Sequence, residues 1–414
     1  MTGKERVKIA LDHREPDKVP LLEVAAGNKL ASAVLGRKAN IFFSGDAIRN
    51  LILASINITP GSRRELAESS YRDQLDFFSK MGIDAVPVMP GAYVLNSINP
   101  FGHSGMNDNA AVEIETLEEN TWKIKDDYGF WSVVKYVPGS DTAVIADHCL
   151  RYEGIKGLER LITVWKSKNY ETLPGDWQVA VDSMKVLKDH MAYKDHYIMG
   201  YADILPPFLE PWAGLFLELV ITNPALVSDY MELQAEGWYV VLKAEIETGI
   251  LDGVFGSMDF CFKSGCLVSP KHFRELFAPG LKKIVDLVHA NGMKYIKHCD
   301  GNVLDILDIM VDYCGIDAIQ PIEPTGDERM TLGWLKKHYG KKITLCGNID
   351  CGKMVTWTAE EIEQEVKKAI KVAAPGGGYI ISSSNSLHGG IPPENAYSYV
   401  NAVRKWGKYP VIID

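Results

Sequence analysis

No apolar run in this 414-residue chain approaches the ~20 residues that a membrane-crossing helix needs. The first twenty residues, MTGKERVKIALDHREPDKVP, lack the apolar centre of a signal peptide and read as an amphipathic helix followed by a turn. Positive charge is in short supply: 44 Lys and Arg face 54 Asp and Glu, for a net charge of −10, so nucleic-acid phosphates would be repelled at long range. The seven cysteines include no C-x-x-C pair, and with no secretory context they read as reduced, small core residues of a cytoplasmic protein. Short repeats and low-complexity tracts are missing. The triple glycine at 376–378 lacks a G-x-G-x-x-G or P-loop context and reads as helix termination.

What is present is an ordinary globular composition, 46% hydrophobic and 24% charged. Eight short apolar runs, at 19–25, 83–90, 197–203, 253–260, 295–300, 316–323, 343–350 and 379–385, are separated by longer helical patterns. They are continuous rather than alternating, as parallel strands covered by helices are, and eight of them predict an α/β fold of the (β/α)8 TIM-barrel type. Helix ends are readable. Thr358 with Glu361 forms a capping box, Ser269-Pro270 opens a helical segment that Asn291-Gly292 closes, and Thr222-Asn223-Pro224 opens another that runs to about Thr248. Residues 26–80 read as a mostly helical N-terminal extension, and residues 111–150 as a β-hairpin insert between the second and third barrel strands. The whole of 1–414 reads as one elaborated barrel domain.

In such a barrel the chemistry sits at the carboxyl ends of the strands. Polar groups end nearly every run: Glu23 and Asn28, Tyr201 and Asp203, Asp259, His298 and Asp300, Glu323, Asn348 and Asp350, then Asn385 and His388. With a period of two, His298 and Asp300 share the mouth and Cys299 packs outward. An imidazole and carboxylates from adjacent strands suit a divalent metal, and His298, Asp300 and Glu323 are the candidate ligands and catalytic groups, with Asp259 or Asn385 as the substitute for Glu323. The same residues equally suit an acid/base pair, and the other reading of Asp300 is a helix cap. Glu23, Tyr201, Asp203, Asp259, Asn348, Asn385 and His388 are the candidate substrate-binding residues. His103 and His148 read as surface residues.

The segments ALDHREPDKVP (10–20), SMDFCFKSGCLVSPKHF (257–273), KHCDGN (297–302), IDAIQPIEP (316–324), LCGNID (345–350) and SSSNSLHGGIPPEN (382–395), in that order, resemble the uroporphyrinogen decarboxylase superfamily. The resemblance implies an eight-stranded (β/α) barrel, frequently a homodimer. Decarboxylases of the family carry an arginine-rich R-Q-A-G-R segment after the first strand, whereas LLEVAAGNKL here has no arginine to hold a substrate with many carboxylates. Thiol-directed methyltransferases of the family hold zinc with His-x-Cys after strand five and a further Cys after strand eight. His298 matches, but Asp300 stands where the Cys would be and Asn385 near the place of the last Cys, a harder donor set. The H-x-D-G-N pattern and the longer chain look more like the first methyltransferase of anaerobic O-demethylase systems. That likeness implies transfer of a methyl group from a methoxylated aromatic substrate to the cobalt of a partner corrinoid protein, with zinc polarising the ether oxygen and aromatic side chains such as Tyr201, Phe260 and Trp212 around the ring. The readings weighed beside it are a methyl-corrinoid:thiol or pterin methyltransferase, a decarboxylase-like lyase, and a non-catalytic binding barrel.

Overall fold

The computed structural model describes residues 1–41, 44–56, 62–89, 113–126, 128–168, 170–171, 173, 175–323 and 326–413. Pro90, Ala111, Val112, Asp127 and Pro324 of the predicted segments, residues 42–43 and 57–61 of the predicted helical extension, and His103, lie outside these residues.

Thirteen strands lie among the described residues. They are β1 (Ala85–Pro87), β2 (Glu113–Glu118), β3 (Thr121–Lys125), β4 (Trp131–Val137), β5 (Thr142–His148), β6 (Tyr197–Tyr201), β7 (Gly253–Gly256), β8 (Cys261–Phe262), β9 (Gly265–Cys266), β10 (Lys294–His298), β11 (Ala318–Gln320), β12 (Thr344–Cys346) and β13 (Tyr379–Ile380). Seven of them form a curled parallel sheet in the order β1-β6-β7-β10-β11-β12-β13. The expected eighth run, 19–25, is not a regular strand. It makes single parallel bridges to both edges, Leu21 with Ile381 and Leu22 with Ala85, so it spans the gap between β13 and β1. Pro20 explains part of this: it has no N–H for a ladder, yet its carbonyl accepts from Ile381 at 3.0 Å. The fold is thus the α/β barrel type that the sequence predicts, with seven regular strands and one bridging segment.

Each regular strand is shorter than its apolar run. Within the run 295–300 the regular strand ends at His298, and within 379–385 it ends at Ile380, with only single bridges at Ile381 and Ser383 beyond it. Beyond those points the chain leaves the ladder because polar side chains take over the hydrogen bonding. Asp300 N–H donates to Asp259 Oδ1 at 2.8 Å, and Ser383 N–H donates to Glu23 Oε1 at 2.8 Å.

The helices begin and end on the predicted signals. Thr358 and Glu361 make a reciprocal capping box on Ala359–Ala373, and Gly376, Gly377 and Gly378 follow with φ of 81°, 73° and 62°. Asn223 caps Pro224–Glu247. The segment opened by Ser269 is interrupted by a π turn at Phe273–Phe277, next to Pro279, which lacks the N–H for a normal ladder. Helices Asn28–Leu35, Gly45–Ile56 and Ser62–Met81 occupy the predicted helical extension. Strands β2-β3-β4-β5 form an antiparallel meander between β1 and β6 in the chain, where the insert was expected.

The core has two layers. Inside the sheet lie Leu22, Met199, Phe255, Ile296, Cys346 and Ile380, and outside it a larger layer joins the sheet to the helices. On β10, Ile296 belongs to the inner set, while Tyr295 and Cys299 belong to the outer one. This alternation puts His298 on the inner face, at the end where the strand opens.

Candidate metal centre

His298 is 5% exposed and tilts against the ring of Phe255 from the neighbouring strand. Its Nε2 lies 3.4 Å from Asp300 Oδ1 and 3.6 Å from Asp259 Oδ1. Among the described residues these three form the one group of His, Cys, Asp and Glu with ligand atoms all within 4.8 Å of one another. Glu323 is not in that group. Its Oε2 accepts the N–H of Gly301 at 3.0 Å, which fastens the turn after Asp300 instead. Gly301 has φ of 87°, and a Cβ there would lie 2.7 Å from the carbonyl oxygen of Phe262, so the turn needs glycine. Of the expected ligands, His298 and Asp300 come together, and Asp259, the expected substitute, occupies the place given to Glu323.

Three features of the group suit a bound cation. First, Asp300 Oδ2 accepts from Asn385 Nδ2 at 2.8 Å, but the buried Oδ1 has no hydrogen-bond partner among the described residues. Orphaned carboxylate oxygens of this kind call for a ligand. Second, burial pushes the Asp300 carboxyl up to about 6, Asp259 and Glu323 push it the same way, and His298 and Asn385 only partly offset this. Third, ligands on a tetrahedral zinc with ~2.0–2.1 Å bonds stand about 3.3–3.4 Å apart, close to the two His298 distances. One imidazole and two carboxylates also match the donor count of a catalytic zinc with one open position.

The neighbours of His298 decide its tautomer. His298 Nδ1 is hydrogen-bonded to Gln320 Oε1, and Gln320 is its direct register partner on β11. Gln320 Nε2 donates to Ser383 O at 3.2 Å and to Ser382 Oγ at 3.3 Å. An amide nitrogen that faces a carbonyl leaves its oxygen facing the imidazole, so Nδ1 carries the proton and Nε2 keeps a lone pair toward the two aspartates. Ser383 in turn donates its N–H and its hydroxyl to the two oxygens of Glu23. Glu23 is fully buried, and burial pushes its carboxyl up to about 7 despite those two bonds. A chain of four residues thus runs from the 19–25 segment to the imidazole.

The other expected site residues, Asp203, Tyr201, Asn348 and His388, have different surroundings. Asp203 is wholly buried on the outer face, ion-paired with Lys297 and accepting the N–H groups of Met258 and Ile204 at 2.8 and 2.9 Å. It lies beneath the mouth rather than on it. Tyr201, 4% exposed, takes a bond from Ser257 Oγ at 3.2 Å and stacks edgewise on Trp238. Asn348 follows β12 and is half-buried. His388 is away from the cluster: it lines a separate cleft of about 670 Å³ with Lys29, Tyr136 and Asp141. There its Nε2 bonds Cys351 O at 3.3 Å and its Nδ1 accepts from Gly390 N–H at 3.2 Å, which pins the loop.

Two of the three expected ring-binding aromatics are corrected by the structure. Trp212 is 1% exposed among Phe216, Tyr230 and His148, and Phe260 is fully buried against Phe273 with Lys297 over its face. Both are core. His148 is likewise fully buried, not on the surface. Gln320, which holds the imidazole, and Lys297, which neutralises buried Asp203 behind it, are residues that the sequence alone did not single out. The available signal was a long polar side chain inside an otherwise apolar strand, which has to find a partner.

A family model described as "Uroporphyrinogen decarboxylase (URO-D)" matches residues 213–406, the part of the chain that carries β7 to β13. Uroporphyrinogen decarboxylase of Pseudoalteromonas atlantica is 26% identical over 197 residues, covering 46% of this chain and 51% of its own. That of Pseudoalteromonas translucida is 26% identical over 200 residues, covering 47% and 52%. The chain spans about half the length of these curated relatives. A methyltransferase from Methanosarcina mazei has the same fold, with a TM-score of 0.61 at 19% identity over 98% of this chain and 99% of its own.

Proposed function

We propose that the chain is a methyltransferase of the uroporphyrinogen decarboxylase superfamily, one that moves the methyl group of a methoxylated aromatic compound to the cobalt of a partner corrinoid protein; the family match over residues 213–406 supports the superfamily reading. The observation that carries this reading is the acidic, metal-competent mouth, where Asp259, His298 and Asp300 converge beside Glu323. A substrate bearing many carboxylates, as a decarboxylase of this family takes, would meet like charge there and would find no arginine in LLEVAAGNKL. A neutral ether with a polarisable oxygen fits better. Zinc held by Asp259, His298 and Asp300 would supply Lewis acidity at that oxygen, so that phenolate can leave.

The remaining work belongs to the chain itself. Gln320 holds the imidazole in the tautomer that leaves Nε2 free. Asn385 and Gly301 set the orientation of the Asp300 loop, the first by its bond to Oδ2 and the second by its bond to Glu323. A donor set with two carboxylates is harder than one with two thiolates, which favours activation of an oxygen over delivery of a thiolate.

The test is incubation of zinc-loaded protein with reduced cobalamin and a panel of methoxybenzoates, following the methyl-cobalamin spectrum. Formation of methyl-cobalamin, reduced to background in His298→Ala and Asp259→Ala together with about one zinc per chain, is the expected result. Loss of methyl from methyl-cobalamin to a thiol, with none gained from any ether, would reverse the proposed direction.

A further inference from the structure

Three thiols meet directly behind the candidate metal centre. Cys261 and Cys266 face each other in the antiparallel pair β8–β9, and the Cys261 thiol touches both the Cys266 thiol and that of Cys299. The register decides which of these contacts can become covalent. The pair Phe262–Gly265 flanks a two-residue turn, and Leu267 N–H donates to Phe260 O at 2.8 Å on the far side. Cys261 and Cys266 therefore occupy the non-hydrogen-bonded position between them. In that position Cα atoms stand ~4.5 Å apart, inside the ~4.4–6.8 Å range of disulfides. Cys299 is fully buried, whereas Cys266 is partly exposed and reachable from solvent.

We propose that Cys261 and Cys266 are a reversible disulfide site, a redox latch on the hairpin that directly follows the candidate ligand Asp259. With a low-molecular-weight disulfide as oxidant, the Cys266 thiolate attacks one sulfur, the reagent's S–S bond breaks and one thiolate leaves. The Cys261 thiolate then attacks Cys266 Sγ and expels the second thiolate. The two cysteines together lose two electrons and two protons, and the reagent becomes two thiols.

The latch reaches the centre through short connections. Asp259 lies two residues before Cys261, Phe260 N–H donates to Cys299 Sγ at 3.3 Å, and Asn302 N–H donates to Phe262 O at 2.9 Å. Bonding Cys261 to Cys266 withdraws its thiol from Cys299 and loosens the packing between the hairpin and the 299–302 turn. This second effect rests on the metal reading given above; the disulfide itself does not.

Lys263 makes the experiment direct, because trypsin cuts between the two cysteines. The full-length protein is treated with oxidised glutathione, free thiols are alkylated, and tryptic peptides are weighed. A linkage of peptide 244–263 to peptide 264–271, lost in Cys266→Ser and kept in Cys299→Ser, is the expected result. Alkylation of all three thiols, or linkage of 244–263 to the peptide containing Cys299, would overturn the proposal. Zinc affinity measured by chelator competition should fall about fivefold or more on oxidation, the low end of couplings between sites, and not in Cys266→Ser. An unchanged affinity would overturn the coupling. A linkage that forms in a protein with no zinc affinity in either state would sink the metal reading and leave the latch standing.

Discussion

Lys297 and His298 are neighbours on β10, and each is buried against carboxylate, but on opposite faces of the sheet. Behind the sheet, Lys297 and Asp203 are both fully buried, and the lysine also donates to Met258 O at 2.7 Å, so each charge has its counter-charge inside the fold. Inside, His298 meets Asp259 and Asp300 with Glu323 close by, and the described residues place no lysine or arginine in the group. Burying a charge requires a partner. The outer face carries its own, and the inner face is left for something to bind.

Breaking the outer pair should have the largest effect. Lys297→Met leaves Asp203 buried without its cation and should lower unfolding stability by about 3–5 kcal/mol, read from urea denaturation. The double change Lys297→Met with Asp203→Leu should recover most of that loss, since it removes both charges. If the single change were as mild as a surface substitution, the two faces would not differ in the way described.

A pH series sharpens the inner side. Glu23 ionises only at about 7 when folded against an ordinary 4.5, so between those values the folded state holds more protons than the unfolded one. Stability should therefore fall as pH rises from about 4.5 to about 7 and level off above, by on the order of 3 kcal/mol for a shift of this size. Glu23→Gln should flatten that slope relative to the unaltered protein in thermal melts. Identical slopes would mean that burial does not raise the Glu23 carboxyl.

The smallest effect belongs to the residue that only orients. Gln320→Leu should weaken zinc binding by about 10- to 100-fold, the usual range for a group that holds a metal-bound histidine, while leaving all three ligands in place. Gln320→Glu can still accept from Nδ1 and should recover most of the affinity, with a changed pH dependence. Equal losses in both variants would assign Gln320 to packing rather than to the tautomer.

Much of this arrangement was legible in the chain. Continuous apolar runs between amphipathic helices predicted the parallel barrel, and the two-residue period of a strand predicted that His298 and Asp300 would share a face with Cys299 behind them. Burial supports that division, with Cys299 in the outer layer. Two of the three aromatic expectations failed because Phe260 and Trp212 are large enough to fill core positions, and their identity does not say whether an opening lies in front of them.

Local periodicity acts within a strand, so the amino-acid sequence by itself determined the barrel type, the helix boundaries and which side chains of β10 face inward. The partners of those side chains come from other strands, and only the tertiary structure decided them. The register that sets His298 opposite Gln320, the loop that brings Asp259 across 41 positions to bond Asp300 N–H, and the 19–25 segment that carries Glu23 to Ser383 all depend on how distant segments pack. A strand's own period fixes the direction in which a side chain points, whereas the group it meets is set by sheet closure, which couples residues far apart in the chain.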